Sequence, residues 1–321
     1  MSELASTNNT VVSIVQEATV GVTPATPAFK RLRFKSESIE ETLNSETDEE
    51  IRADGQYTDS VIVSGESGGE VGFNLFYGEQ IDTFLQAALR TSVATWLTGA
   101  SIMNGMTKTT FTIEKQYQDD LGNPIYFRYH GMQVGGMTIN LQDGLLNGTC
   151  SFMGLDALSD TVAITGATYA DYDPTAPIMS SGASVKNIQI LDENDTDTGA
   201  TVQDMTLTID NGLRAQRALG YLYAAGVAMS RFGCEFSGNL YFSDKTIYDQ
   251  FKLNKLMKLS FDLIDSLGNK YTFVINNLKT QSFSVSAQGV DQDLVAAWTA
   301  RGFADDQAPS RTLTVTKTDV V

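Results

Sequence analysis

Histidine occurs once in this sequence, at His130, and cysteine twice, at Cys150 and Cys234. Two cysteines are too few for a disulfide framework, and free thiols in a reducing cytoplasm are the simplest reading. One histidine with no Cys/His cluster around it leaves no zinc set. It directly precedes Gly131 and corresponds to Asn276 in a second segment described below, which suggests a turn or surface role. No Gly-rich loop ends in Lys-Ser/Thr, so a nucleotide phosphate cradle is missing. "DENDTDTG" (192–199) has the look of a calcium loop but lacks the sixth-place Gly and the distal Glu, leaving a solvated acidic turn. Carboxylates are nowhere paired in an apolar setting that would tune an acid against a base. Catalysis has no visible seat, and no cofactor is expected.

Basic residues are also scarce, 22 against 39 acidic ones, for a formal net charge of −17. Such a chain repels polyphosphate, which excludes nucleic-acid binding by counterion release but suits a surface past which DNA slides. No apolar run of about 18 residues exists, and the start "MSELASTNNT" lacks a basic-then-apolar leader, so neither a membrane span nor a secretory signal is read. What remains is 42% hydrophobic and 19% charged over 321 residues, enough to bury a core in one large or two medium domains. Dispersed Thr, Ser, Val, Gly and aromatics lean toward β structure.

The informative content is written twice. "DDLGNPIYF" (119–127) returns as "DSLGNKYTF" (265–273), 146 positions on. At that offset "FRYHGMQVGGMTINLQ" lies against "FVINNLKTQSFSVSAQ", so Phe127 meets Phe273, Met132 meets Leu278, Met137 meets Phe283 and Ile139 meets Val285. Both copies alternate apolar with small polar residues, the period of a half-buried strand, as do "FTIEKQY" and "MKLSFDL" just upstream. Earlier, "GEVGFNLFYGE" (69–79) resembles "CEFSGNLYFSD" (234–244) at an offset of 165. A short helix follows each, with Ile81, Phe84, Leu85 and Ala88 on one stripe, and Ile247 and Phe251 inward behind an N-cap at Ser243 or Asp244. The difference of 19 between offsets places an insertion at 91–109, holding Trp96, which serves as a contact to a neighbour or as an ordinary loop. Matching order at two offsets predicts an internal duplication.

The predicted organisation is an N-terminal arm (1–28), a first domain (29–160), a linker with an acidic turn (161–200), a second domain (201–310) and a C-terminal strand (311–321). The arm "IVQEATVGVTPATPAFKRLRFKSESI", the hairpin "NSETDEEIRADGQ", "GGEVGFNLFYG", "FTIEKQYQD" and, in the second copy, "LTIDNGLRAQRALGYLYAAGVAMSRF" and "GNLYFSDKTIYDQF" together resemble the major tail tube proteins of long-tailed bacteriophages in their duplicated form. The linker matches least, and Gly238 stands where a bulky inward residue is expected.

The resemblance implies a mainly β protein, two tandem β-sandwich or barrel domains each with one flanking helix. It implies trimeric, pseudo-sixfold rings stacked into a tube in the virion tail, assembled in the bacterial cytoplasm. Expected partners are further copies of itself, the tape measure protein, and terminator and tip proteins. DNA passes without specific binding, and no membrane is involved. A contractile-tail or secretion-machine tube and a tail-tip adhesive β-sandwich remain the alternatives. For the lumen wall the candidates are Glu70, Asn74, Glu114, Thr138, Asn140 and Gln142, answered by Glu235, Asn239, Asp262, Ser284, Ser286 and Gln288. The same strands facing outer solvent is the competing reading. For contacts between rings, the acidic Glu46, Asp48, Glu49 and Glu50, with Arg52, oppose Arg214, Arg217 and Arg231, unless both loops are simply solvated. Phe73, Leu75, Phe84, Phe127, Phe273 and Phe283 are expected to pack the core.

Overall fold

The computed structural model describes residues 9–119, 121–242, 245–286, 290, 293–307 and 309–320, and in it the two LGN segments form one and the same turn. Asp119 Oδ1 accepts from the backbone N–H of Leu121 (2.9 Å) and Asn123 (2.7 Å), while Asn123 Nδ2 donates to Asp119 Oδ2 (2.9 Å). Asp265 makes the same three bonds with Leu267 (2.8 Å) and Asn269 (2.9 Å for both). Gly122 (φ 83°) and Gly268 (φ 93°) take the left-handed backbone that a side chain resists. Asp, Gly and Asn recur because each satisfies a different demand of the turn.

The first half runs β1 (Val11–Gln16), β2 (Ala28–Arg31), β3 (Ser36–Glu37), β4 (Glu40–Thr47), β5 (Ser60–Asn74), α1 (Glu79–Ala88), β6 (Ser101–Met103), β7 (Phe111–Gln118), β8 (Pro124–Leu141), β9 (Asn147–Met153) and β10 (Asp156–Asp160). Between the halves come β11 (Thr168–Asp171) and α2 (Ser181–Ser184). The second half is β12 (Val185–Leu191), β13 (Thr201–Asp210), β14 (Arg214–Gln216), β15 (Gly226–Ala228), β16 (Gly233–Tyr241), α3 (Thr246–Lys252), β17 (Met257–Ile264), β18 (Lys270–Ser286), β19 (Val295–Phe303) and β20 (Thr314–Thr318). The protein is mainly β, as expected.

Two long strands organise it. The first part of β8 lies between β7 and β10, and its second part between β9 and β13. The first part of β18 lies between β17 and β20, and its second part pairs with β19. Registers correspond residue for residue: Phe111 opposes Met132 as Met257 opposes Leu278, and Ile113 opposes Tyr129 as Leu259 opposes Ile275, each 146 positions on. The irregularities correspond too, at Val134/Gly136 on β8 and Thr280/Ser282 on β18.

Upstream, the offset differs from the one read in the sequence. β5 ends at Asn74 and β16 at Tyr241, and α1 begins at Glu79 and α3 at Thr246, both 167 apart rather than 165. Phe73 therefore answers Leu240, not Gly238. A slip of two keeps every side chain on its face, so alternation alone hides it. Gly238 is required locally, because a Cβ there would sit 2.2 Å from the Asp204 carbonyl where β13 bulges.

The arm and linker are knitted into the sheets. β1 pairs with β7, and β12 pairs with β17 at the corresponding edge, while β11 runs parallel to β2. The insertion 91–109 packs inside the chain: β6 pairs with the C-terminal β20, and Trp96, 5% exposed, lies 5.8 Å from the Tyr271 ring. Ile81, Phe84, Leu85 and Ala88 are buried as their spacing predicts, and so is Ile247. The expected cap at Ser243 or Asp244 lies outside the described residues. Phe127 departs from the core set: it is 38% exposed and packs edge-on against Tyr117. His130 also departs from expectation, being 8% exposed within β8 with Nδ1 2.7 Å from Asp156 Oδ1.

Side chains also bind the halves together. Asp82 of α1 accepts from Tyr271 Oη (2.6 Å) and Lys317 Nζ (2.7 Å). Burial raises the Asp82 carboxyl above its ordinary pKa, and Lys317 and Tyr271 counter that only in part.

Candidate functional surface

The order β4-β5-β9-β8-β13-β16-β19-β18 makes eight strands continuous across both halves, the central joint being β8 with β13. Residues directly opposite each other share a face. One row across seven of these strands reads Asn74, Asn147, Asn140, Thr206, Ser237, Thr299, Ser282. A neighbouring row on that face reads Gly72, Thr149, Thr138, Thr208, Glu235, Arg301, Lys279. The row between them, on the other face, is Phe73, Gly148, Ile139, Leu207, Phe236, Ala300, Thr280. Period-two alternation thus yields one apolar face, packed on the core, and one face of small polar groups.

Hydrogen bonds run along the polar face. Asn140 Nδ2 donates to Asn147 Oδ1 (3.0 Å), Thr206 Oγ1 donates to Asn140 Oδ1 (3.1 Å), and the hydroxyls of Ser282 and Thr299 meet. Such cross-links hold short side chains flat against the sheet. Glu66, Glu70, Asp204, Asp210 and Glu235 make the face mainly acidic, with Arg301 paired to Glu235 at 2.7 Å.

Most residues expected on this face are there: Glu70, Asn74, Thr138, Asn140, Glu235, Asn239, Ser284 and Ser286, with Gln142 exposed just past β8. Two are not. Glu114 is 1% exposed in β7, bonded to Arg128 Nε (2.7 Å) and Tyr169 Oη (2.6 Å). Asp262 is 4% exposed in β17 and accepts from Asn187, Thr272 and Lys270. β7 and β17 belong to the sheet portions away from the polar face, so their carboxylates are interior partners. Gln288 lies outside the described residues.

The sheet ends in two open edges. Among the described residues no strand pairs with the outer side of β4, whose residues are all exposed, or with β18 from Ser282 to Ser286 other than β19. Just before β4 the edge is closed off at Ile39, whose N–H donates to Glu37 Oε2 (3.1 Å) and whose carbonyl accepts from Lys115 Nζ (2.6 Å).

The charged loops are only partly free. Asp48 accepts from Thr58 Oγ1 (2.5 Å) and the Glu50 N–H (2.9 Å), and Arg52 is held by Asp54 in the same loop. Arg217 pairs with Glu66 of its own chain, while Arg214 and Arg231 are exposed with no ion pair among the described residues. Glu46 and Glu49 project from the same exposed hairpin.

Both thiols are buried; burial pushes Cys150 well above the ordinary range and Cys234 up to about 12, so neither is a nucleophile. Asp192 in the acidic turn caps backbone N–H groups of Asn194 (2.8 Å) and Thr196 (2.9 Å). Sequence reasoning did not single out Arg90, Lys108 or the Lys279–Arg301 pair, whose partners lie far away in the chain or across strands.

No curated protein matches the chain. An eight-stranded sheet with one polar face and two open edges accompanies a match of residues 7–312 to the family described as phage tail tube protein, and the chain belongs to that family.

Proposed function

We propose that the protein is the tube subunit of a long, non-contractile phage tail, an internally duplicated chain of which three close into a pseudo-sixfold ring. The family makes it a structural component of the virion tail; the finer reading is supported chiefly by the joint between β8 and β13. There two halves meet edge to edge over Met205–Asp210 against Leu141–Gly136, and the outermost edges of the same sheet, on β4 and β18, are left open. Open edges demand partners, and a ring removes every one of them. A head-to-tail contact closes after a fixed rotation, whereas axial stacking does not close and builds a filament.

In that ring the polar face lines the channel. Among the described residues its short hydrogen-bonded side chains offer bases little beyond the half-exposed Tyr241 ring and offer phosphates few cations, and each chain contributes −17. DNA is thereby passed to the host without sticking. A tape measure protein filling the tube and terminator and tip proteins at its ends complete the partners, with assembly in the infected cell. Negative-stain electron microscopy of the purified protein tests this: stacked rings with a central hole are expected, and monodisperse monomers at all concentrations refute it.

A further inference from the structure

We propose that the two ends of the chain are joined by a charge clasp, in which the acidic β4–β5 hairpin of one copy lies across the Lys279–Arg301 strip of the next copy. This rests on the ring reading above and names the surface through which a second copy of this chain docks.

The joint inside the chain supplies the template. Pairing of β13 with β8 continues through Asn211, whose N–H donates to the Gly135 carbonyl (2.8 Å). Beyond it the β14–β15 hairpin folds back over the first half. Lys108 Nζ donates to the Val227 carbonyl (2.9 Å), Gly65 N–H donates to the Leu222 carbonyl (2.8 Å), and Arg217 pairs with Glu66. A hairpin that continues the joint strand therefore rests on the preceding half, and its cation meets an acid there.

The β4–β5 hairpin occupies the same place in the first half, since β4 pairs with β5 as β13 pairs with β16. Its charge is inverted: Glu46, Asp48, Glu49 and Glu50 stand with one cation, Arg52, which Asp54 already holds. Beyond Ser64 it is also uncovered. Val61, Ile62 and Val63 are 59%, 51% and 46% exposed, and successive strand residues point to opposite faces, so both faces of the hairpin are open and apolar. In the corresponding hairpin of the second half Val227 is 3% exposed.

The surface that would receive it is basic where its first-half counterpart is neutral. Where the first half sets Gln133 opposite Met153, the second sets Lys279 opposite Arg301. Met153 lines the groove beside Ala215 and Ala224 of the β14–β15 hairpin, so Arg301 holds the position that faces an incoming hairpin. Two cations directly opposite across a strand pair repel. Glu235 answers Arg301, but Lys279 has no ion pair among the described residues, and it stands next to the open edge. An arriving carboxylate relieves that repulsion. The internal joint sets Arg217 on Glu66, whose counterpart in the second half is Gly233, and the external one sets acids on the nearby basic strip, so a first-half hairpin is repelled by another first half and accepted by a second half. The clasp enforces head-to-tail order.

The test reverses each side and then both. K279E/R301E and, separately, E46K/E49K/E50K are measured by sedimentation and negative-stain microscopy, with circular dichroism to follow folding. Each reversal is expected to weaken ring formation ~100-fold and the five-residue combination to restore it. Wild-type rings together with unchanged association of K279E/R301E overturn the clasp, as do K279E/R301E rings that form but fail to stack, which would put the hairpin between rings. A wild-type protein that makes no rings overturns the ring reading itself, and the clasp with it. Should a reversal fail to fold, K279Q/R301Q and the salt dependence of wild-type association decide: association falling with salt supports the clasp, and salt-independent association overturns it.

Discussion

Replacing Arg90 with methionine should weaken the joint between the two halves more than any surface change. Arg90 follows α1 at φ 56°, a left-handed position that glycine or asparagine fills more readily, and is only 1% exposed. Its guanidinium donates from Nε to Asn211 Oδ1 (2.7 Å), from Nη2 to the Asn211 carbonyl (2.7 Å) and from Nη1 to the Ser230 carbonyl (2.9 Å). These partners are neutral oxygens, and burial lowers the Arg90 pKa against the opposing pull of Asp210. Methionine keeps the apolar stem and removes every donor. Two buried acceptors on Asn211 then each lose about 1–3 kcal/mol, while Ser230 is wet enough to recover. Relief from desolvating a cation returns part of the loss, leaving a net cost of about 2–4 kcal/mol. At about 2–4 °C per kcal/mol, thermal melting should shift down by about 4–16 °C. Amide exchange at Asn211 should accelerate, because its N–H seals the end of the β8–β13 pairing. Arg90→Lys should recover only part of the loss, since an ammonium lacks the planar fork. An Arg90→Met variant within about 0.5 kcal/mol of wild type would refute the reasoning.

Two further predictions concern buried carboxylates. Lys317→Met leaves Asp82 charged and mostly buried with Tyr271 as its remaining donor, and should cost about 3 kcal/mol in urea titration, with D82N/K317M recovering most of it. Because burial already raises the Asp82 pKa, the Lys317→Met deficit should shrink as pH falls through the carboxylate range; a pH-independent deficit would contradict this. Burial alone would raise Asp305 too, but bonds from the Arg311 backbone and guanidinium, Asn276 and Gln307 hold it at about 2. Its folded pKa is depressed below the ordinary 3.8, so its contribution is intact above that value and lost as pH falls toward about 2. Asp305→Asn should flatten the stability profile in that window, and an unchanged acid limb would contradict the assignment.

The sequence displayed the strands because alternation is a local property, and it displayed the turns because Asp, Gly and Asn each act within five residues. It misled where locality ends. The two-residue slip between Phe73 and Gly238 preserves faces and is visible only in strand pairing. Glu114 and Asp262 alternate like polar-face residues, yet β7 and β17 lie in other parts of the sheets, where Arg128 and Asn187 receive them. Arg217 is expected to meet the acidic hairpin of another ring, whereas within the chain it pairs with Glu66, 151 positions away. Phe127 obeys its period and is still 38% exposed, because it opposes Lys115 on β7 where its counterpart Phe273 stacks on Phe261.

In the proposed ring the open borders of β4 and β18 pair with each other between copies. The internal joint transfers a register in which Thr42 of one copy opposes Ser282 of the next, as Asp210 opposes Gly136 within the chain. Cysteines at these two positions, in a chain whose native thiols are both buried, should oxidise to a covalent ladder that stops at a closed trimer. Monomers that stay uncrosslinked while tubes still form would contradict it.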